Sequence, residues 1–192
     1  MSNPMNALAV LELIESRQTM GKLVAPAPSD VEVEQVIRAA LSAPDHRRIR
    51  PWQFMQLRDN ARHLLGQVFS ECLTESGIDD AEQHRKVLAQ PLRAPLIIIA
   101  VVKTQTGVNV PIVEQILSMG AAIQNALLML NAQGYGSIWR SGTLAESPIL
   151  KQKLGLSTDD EIAGFIYVGT PAKQLPPRVP LQVSDFLSNW PA

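Results

Sequence analysis

The sequence predicts a mixed fold, α+β or α/β, with about four strands covered by helical layers. The run 96–102 is nearly all aliphatic and partly β-branched, which is typical of a strand buried on both faces. Helical and strand patterns also alternate along the chain, with one long helix between two of the strands. The 192 residues are 46% hydrophobic and 18% charged, a composition that allows a packed core.

Two helices and an extended link are expected in the N-terminal part. Apolar residues between Leu8 and Ile14 predict a short amphipathic helix that ends near Ser16. Prolines exclude a helix from 25–28. Ser29 and Glu32 predict a capping box at the start of a second helix, which Pro44 stops. The buried face of this helix is predicted to consist of Val33, Val36, Ile37, Ala40 and Leu41.

The middle of the chain alternates between a charged loop, strands and helices. Loop 45–50 precedes a candidate strand at 53–57. Asp59 is predicted to cap a helix through Phe69 and Cys72, and a further helix spans 80–88. The buried strand 96–102 follows.

A long helix dominates the C-terminal half. It opens at Pro111, ends at Gly134, and has apolar residues beyond one narrow stripe, which predicts burial on more than one side. In a chain of this size, a partner subunit is expected to bury the second apolar side of this helix. Strands at 135–139 and 162–168 flank a helix that begins at Ser147-Pro148 and ends before Gly155. We expect one domain over 1–192, with a tail from about residue 176 that wraps the partner.

Charge and cysteine content exclude several classes of protein. The net charge of −1 lacks the basic excess of a duplex nucleic-acid binder. The single cysteine, Cys72, permits neither an internal disulfide framework nor a cysteine-built zinc site. We therefore expect a cytoplasmic protein without a metal site. Cys72 itself is expected to be a small, buried hydrophobic residue. The run 96–102 is far shorter than the roughly 20 residues of a membrane span, and residues 1–10 lack a secretory pattern. His63 and His84 are expected at the surface.

Three segments have residue types suited to an anionic, flat ligand. Arg17 lies beside a hydroxyl residue, which suits a phosphate, although a solvated helix end remains an alternative. Segment 43–52 has three arginines and a histidine between prolines, which suits an anion; a solvated loop with Trp52 in the core, or RNA binding, is the alternative. In segment 134–142, glycines flank an aromatic, a guanidinium and a hydroxyl side chain, which suits a flat ligand. An ordinary glycine-flanked turn is an equally good interpretation of this segment.

In this order and separation, the three segments resemble the FMN-dependent nitroreductase family. The likeness covers nearly the whole chain and is weakest in the tail. Each motif is soft alone, but the ordered set is quite specific. The matching stretches are 17–19, 25–28, 43–46, 51–52, 93–98, 113–115, 138–142, 146–148 and 164–171.

The resemblance implies an α+β fold with a central, mostly antiparallel sheet covered by helices, in an intertwined homodimer with FMN at the subunit interface. It implies no catalytic side chain, because the flavin N5 atom carries the chemistry. The cofactor-binding residues implied by the match are Arg17, Gln18, Thr19, Ser42, His46, Trp139, Arg140, Ser141 and Lys173.

The sequence departs from the family in two places. Arg17, Gln18 and Thr19 replace an arginine, a basic residue and a serine on the phosphate side, so one charge is lost; Lys173 is a candidate second phosphate cation. Arg48 and Arg50 stand where many relatives have amides that bond the flavin ring. Together with Lys22, they are candidates for stabilising negative charge near N1 and O2.

The implied activity is ping-pong hydride transfer from NADH or NADPH, through the flavin, to a nitroaromatic, a quinone or a similar small molecule. A dehydrogenase or reductive dehalogenase of the same fold is an alternative. A non-catalytic module that binds flavin or nucleic acid is another.

Overall fold

A computed structural model describes residues 6–190, and a five-stranded sheet forms its centre. All four strand pairs are antiparallel: β5 pairs with β1, β3 and β4, and β3 also pairs with β2. This decides between the two predicted fold classes in favour of α+β and confirms the mostly antiparallel sheet. The strands are β1 (Leu23–Val24), β2 (Trp52–Arg58), β3 (Leu96–Val102), β4 (Gly136–Arg140) and β5 (Glu161–Pro171).

Six α-helices within residues 6–190 pack on or around the sheet, and each was predicted to within a few residues. Ser29 and Glu32 form the predicted capping box of the second helix, and the side chains of Asp80 and Ser147 cap the fourth and sixth. The helices are α1 (Ala7–Ser16), α2 (Asp30–Ala40), α3 (Asp59–Glu75), α4 (Ala81–Ala89), α5 (Ile112–Ala132) and α6 (Pro148–Lys153).

Strand β3 separates two hydrophobic cores. Ile98 and Ala100 point towards the core formed with α2 and α5, whereas Ile97 and Ile99 point towards the core formed with α3 and α6. All seven residues of β3 are buried, as the aliphatic run predicts. Burying each isoleucine contributes about 1.5–3 kcal/mol, so this strand fixes the two helical layers on opposite faces of the sheet.

Four local expectations were wrong or incomplete. Strand β1 was missed, because two residues show no periodicity. Asp59 does not cap α3: Arg58 occupies the cap position, without a side-chain bond, and Asp59 is the first helical residue. Leu41 lies just past the end of α2 and is 50% exposed, so it does not extend the buried face. His84 is half-buried rather than at the surface, since its ring nitrogens lie 2.6 Å from Ser70 Oγ and 2.9 Å from the Ile78 carbonyl.

Helix α5 is the one helix among residues 6–190 that is long and apolar enough, by length and composition, to cross a membrane. Eight of its residues are buried against the protein, which accounts for much of this apolar character. The core helix of a globular protein passes the same test. Its outer side exposes a row of large apolar residues: Ile112, Val113, Ile116 and Leu117.

Candidate active site

One face of α5 positions the segment that joins α2 to β2. Glu114, Ser118 and Asn125 lie within about 40° of one another around the helix, because an α-helix has 3.6 residues per turn. Each contacts a different point of residues 39–46. A single rigid helix therefore fixes Ser42 and His46, two of the predicted cofactor-binding residues.

His46 is oriented by a carboxylate that the sequence did not connect with it. Its Nδ1 lies 2.5 Å from Oε2 of Glu114, and the two side chains are 50% and 41% exposed. With Nδ1–H donated to Glu114, Nε2 faces away, and it has no hydrogen-bond partner among residues 6–190. Both side chains line a cavity of about 230 Å³. His46 thus offers one ring nitrogen, in a fixed orientation, to a ligand.

Ser118 connects α5 with Trp52. Its hydroxyl donates to the Pro44 carbonyl at 2.7 Å and accepts from the Trp52 indole N–H at 3.1 Å. Trp52 also packs against the core between the sheet, α2 and α5. It is therefore held as a structural residue, which removes the stacking surface on which the RNA-binding alternative depends.

Ser42 is exposed at the end of α2. Its hydroxyl donates to the Ala39 carbonyl at 2.7 Å and lies 3.4 Å from the amide nitrogen of Asn125, which also donates to Ala39. Ser42 and Asn125 line a cavity of about 230 Å³ that reaches Leu13 of α1. Asn125 is the residue here that the sequence analysis missed, because an amide on a long helix has no local signal.

The segment 17–19 lies at the other end of α5. Asn131 donates to Ser16 Oγ at 2.9 Å and so fixes the end of α1, immediately before Arg17. Thr19 forms a parallel bridge with Ser137 of β4. Gln18 donates to the Pro176 carbonyl at 3.0 Å, which holds the start of the tail against this segment.

Arg178 lies near Arg17, and the sequence did not identify it as a cofactor-binding residue. The pKa of Arg17 is lowered by burial of its guanidinium and by the charge of Arg178. Neither arginine forms an ion pair with a carboxylate within 6–190. Arg17 is partly buried, whereas Arg178 is exposed. Two neighbouring cations favour a dianion between them, so the site fits the phosphate of FMN. Arg178 lines a cavity of about 890 Å³ with Ser16 of α1.

Lys173, the predicted second phosphate cation, is exposed just beyond β5 and has no hydrogen bond or ion pair in the described part of the chain. A signal for Arg178 existed in the sequence, since it lies between prolines at 177 and 180, as the basic loop does between 44 and 51. Lys173 was selected because it follows the matching segment 164–171, whereas only the fold brings Arg178 close to Arg17.

Trp139 and Arg140 lie on opposite faces of β4, because neighbouring residues of a strand alternate. The Trp139 indole N–H donates to the Ala163 carbonyl at 3.0 Å, and the indole lies over Gly164. A Cβ atom on residue 164 would be only 2.4 Å from the indole nitrogen of Trp139. The Arg140 guanidinium lies 5.8 Å from the centre of the Tyr167 ring. Within one chain Trp139 and Arg140 therefore face different sides of the sheet, and Ser141 follows them at the exposed end of the strand.

Within one chain, the Arg17 and His46 ends of the site are far apart. Their anchors on α5, Asn131 and Glu114, are separated by about 25 Å at 1.5 Å per residue. No group of three or more histidine, cysteine, aspartate or glutamate side chains within 6–190 is placed to hold a metal ion.

The family model described as "Nitroreductase family" matches residues 14–170, which include Arg17 and His46 but not Arg178. The chain belongs to the nitroreductase family. The match covers the sheet except the last residue of β5, and it covers helices α2 to α6 but only the last three residues of α1. The resemblance inferred from the three segments is thereby confirmed.

Curated relatives agree with this membership. The chain is 37% identical over 175 residues to "Putative NAD(P)H nitroreductase YdjA" of Escherichia coli (strain K12). The aligned residues cover 91% of this chain and 94% of that protein. It is 30% identical over 161 residues to a Haemophilus influenzae protein with the same functional name, covering 83% and 87%.

Solved structures show the same fold. The nitroreductase-like family protein from Bacillus cereus superposes with a TM-score of 0.84 at 19% identity, over 100% of both chains. A nitroreductase with bound FMN from Bacteroides fragilis superposes with a TM-score of 0.72 at 17% identity, over 96% of this chain and 100% of that one. At these identities the likeness establishes the nitroreductase-like α+β fold.

Proposed function

We propose that this chain is an FMN-dependent oxidoreductase that uses NADH or NADPH to reduce a small acceptor, such as a nitroaromatic or a quinone, in a ping-pong sequence. The observation that carries the proposal is the half-buried Arg17 with Arg178 nearby: neither guanidinium forms an ion pair within 6–190, and Arg178 lines one cavity with Ser16, the residue before Arg17. The name of the Escherichia coli relative and the FMN bound by the Bacteroides fragilis structure support the choice of cofactor and donor.

The proposed site divides the work between its two ends. Arg17 and Arg178 would hold the phosphate, with the Thr19 hydroxyl close by, while Ser42 and His46 would contact the ring. Bound FMN would supply the redox chemistry, accepting hydride at N5 from the donor and returning electrons to the acceptor. We assign no catalytic acid or base to the protein, because solvent can deliver the protons.

We also propose a homodimer in which each site takes residues from both chains. The separation of about 25 Å along α5 favours this arrangement, because a compact ligand meets both ends only if they belong to different subunits. The exposed apolar row of α5 is a suitable dimer surface. The tail from about residue 176 would wrap the partner, as its exposed apolar residues suggest: Val179, Leu181, Val183, Phe186, Leu187 and Trp190.

The reaction and the assembly can be tested on one purified sample. We expect a yellow protein whose flavin absorbance is bleached by NADH or NADPH under anaerobic conditions and restored by a nitroaromatic or a quinone. Light scattering of the same sample should give twice the chain mass of 21.0 kDa. A colourless protein that takes up no added FMN would contradict the proposal, and a monomeric yellow protein would contradict the shared site. We place the protein in the cytoplasm, in keeping with its single buried cysteine.

A further inference from the structure

The loop of residues 45–50, called here the arginine loop, has an unusual backbone. Arg47, Arg48 and Arg50 have φ angles of +60°, +56° and +52°, in the left-handed region that side chains other than glycine, asparagine and aspartate rarely adopt. Three such residues within four positions are energetically unfavourable, so the surrounding structure must hold them in place.

Contacts on several sides hold the loop. The Asp45 carboxylate accepts from the Arg50 backbone N–H at 2.7 Å, and the Gln105 side chain donates to the Ile49 carbonyl at 2.7 Å. Gln105 is itself fixed by the buried Gln115, which bonds both its N–H and its carbonyl at 2.9 Å. The arginine side chains therefore extend from a backbone that is already ordered before any ligand arrives.

The three guanidinium groups have no hydrogen-bond or ion-pair partner in the described part of the chain. All three residues are exposed, and none donates a side-chain hydrogen bond or forms an ion pair with a carboxylate in residues 6–190. The nearby carboxylates are used elsewhere: Asp45 bonds the Arg50 backbone, and Glu114 bonds His46. The loop thus presents an excess of positive charge directly after His46, in a protein whose net charge is −1.

We infer that the arginine loop is an anion subsite that binds the negatively charged end of a substrate next to the flavin site. This inference rests on the proposed function. Guanidinium groups bind phosphate and carboxylate through paired, charge-assisted hydrogen bonds. The anion is the 2′-phosphate of NADPH or the carboxylate of an acidic acceptor, two sources with the same chemistry. Arg48 and Arg50 then select a substrate rather than bond the flavin ring.

Binding measurements separate the two sources. Arg47→Gln, Arg48→Gln and Arg50→Gln are made singly and together, with Arg85→Gln on the exposed side of α4 as the matched control. Calorimetry on the FMN-loaded proteins compares adenosine 2′,5′-bisphosphate with 5′-AMP, and 4-nitrobenzoate with 4-nitrobenzamide. The ratio of kcat/KM for NADPH over NADH, and for the acid over the amide, is measured in parallel.

We expect the triple variant to lose about tenfold or more of its preference for the anionic member of one ligand pair, the effect expected for losing charge-assisted hydrogen bonds. Arg85→Gln should change the preference within neither pair. A loss for the adenosine pair assigns the subsite to the donor, and a loss for the benzoate pair assigns it to the acceptor. Unchanged discrimination at full FMN content overturns the inference alone. A loss of FMN from the arginine variants also overturns it, because the loop would then serve the flavin. Failure of the wild-type protein to bind FMN overturns the proposed function instead.

Discussion

The two arginine-bearing ends of the site differ in burial and in what holds them. Arg17 is partly buried beside Arg178, and desolvation and the neighbouring charge both disfavour its protonated form. The arginine loop is exposed, so its free-energy cost comes from the left-handed backbone angles of its arginines and not from burying their charges. A partly buried arginine with a second arginine nearby suits a cofactor that stays bound, whereas a loop of exposed guanidinium groups suits a substrate that arrives and leaves.

A lysine close to the arginine loop, unlike the arginines of the loop, is paired with a carboxylate. Lys103 follows β3, and its N–H donates to the Pro51 carbonyl at the end of the arginine loop. Its ammonium group is paired with Asp160, whose side chain is 3% exposed. A carboxylate therefore neutralises this cation, whereas the three arginines of the loop form no ion pair within 6–190, in keeping with the proposed anion subsite.

The largest expected effect is at Arg17. Arg17→Ala should weaken FMN binding about 10- to 100-fold, the range for losing a charge-assisted phosphate contact. Arg47→Ala, which removes an exposed arginine of the loop, serves as the comparison and should leave FMN affinity nearly unchanged. Fluorescence titration of the apoprotein with FMN measures both. Equal affinities for the two variants would contradict the division between a cofactor end and a substrate end.

Arg178 should give effects of opposite sign with and without cofactor. Arg178→Ala relieves the like-charge contact with Arg17, so we expect the FMN-free protein to melt at the same or a higher temperature. FMN affinity should nevertheless fall, by about tenfold. Lys173→Ala is the matched control and should change neither. If Lys173→Ala weakens FMN binding and Arg178→Ala does not, the lysine selected from the sequence is the phosphate cation after all.

The smallest expected effect concerns the neutralised pair. Burial raises the pKa of Asp160, but hydrogen bonds from Lys103 and from the Ser157 backbone lower it more, so the net pKa is below its ordinary value. A carboxyl group with a lowered folded-state pKa stabilises the fold above its unfolded pKa of about 4, and this stabilisation is lost as the pH falls through the folded-state pKa. Asp160→Asn should therefore cost about 1–2 kcal/mol near pH 7 and progressively less in acid.

Urea unfolding at neutral and acidic pH measures this difference. Asp185→Asn, in the exposed tail, is the control and should follow the wild type at each pH. A deficit of Asp160→Asn that stays constant from neutral to acidic pH would show that the carboxylate charge does not stabilise the pair.

Local patterns predicted most of the fold. The Ser29 capping box, the buried run of β3 and the long α5 were all found, because caps, aliphatic runs and helical periodicity act within a few residues. The two-residue strand β1 was missed, since it exists only through its pairing with β5. The cofactor residues taken from the family match stay predictions until FMN binding is measured.

The sequence by itself determined the family, the order of the helices and of strands β2 to β5, and which segments are rich in cations. Tertiary structure alone decided which charges are neutralised: Glu114 orients His46 across 68 positions of the chain, Asp160 pairs with Lys103, and Arg178 comes beside Arg17. Such pairings depend on distances between side chains that are remote in sequence. No local propensity encodes those distances, because they follow from how the helices and the sheet pack.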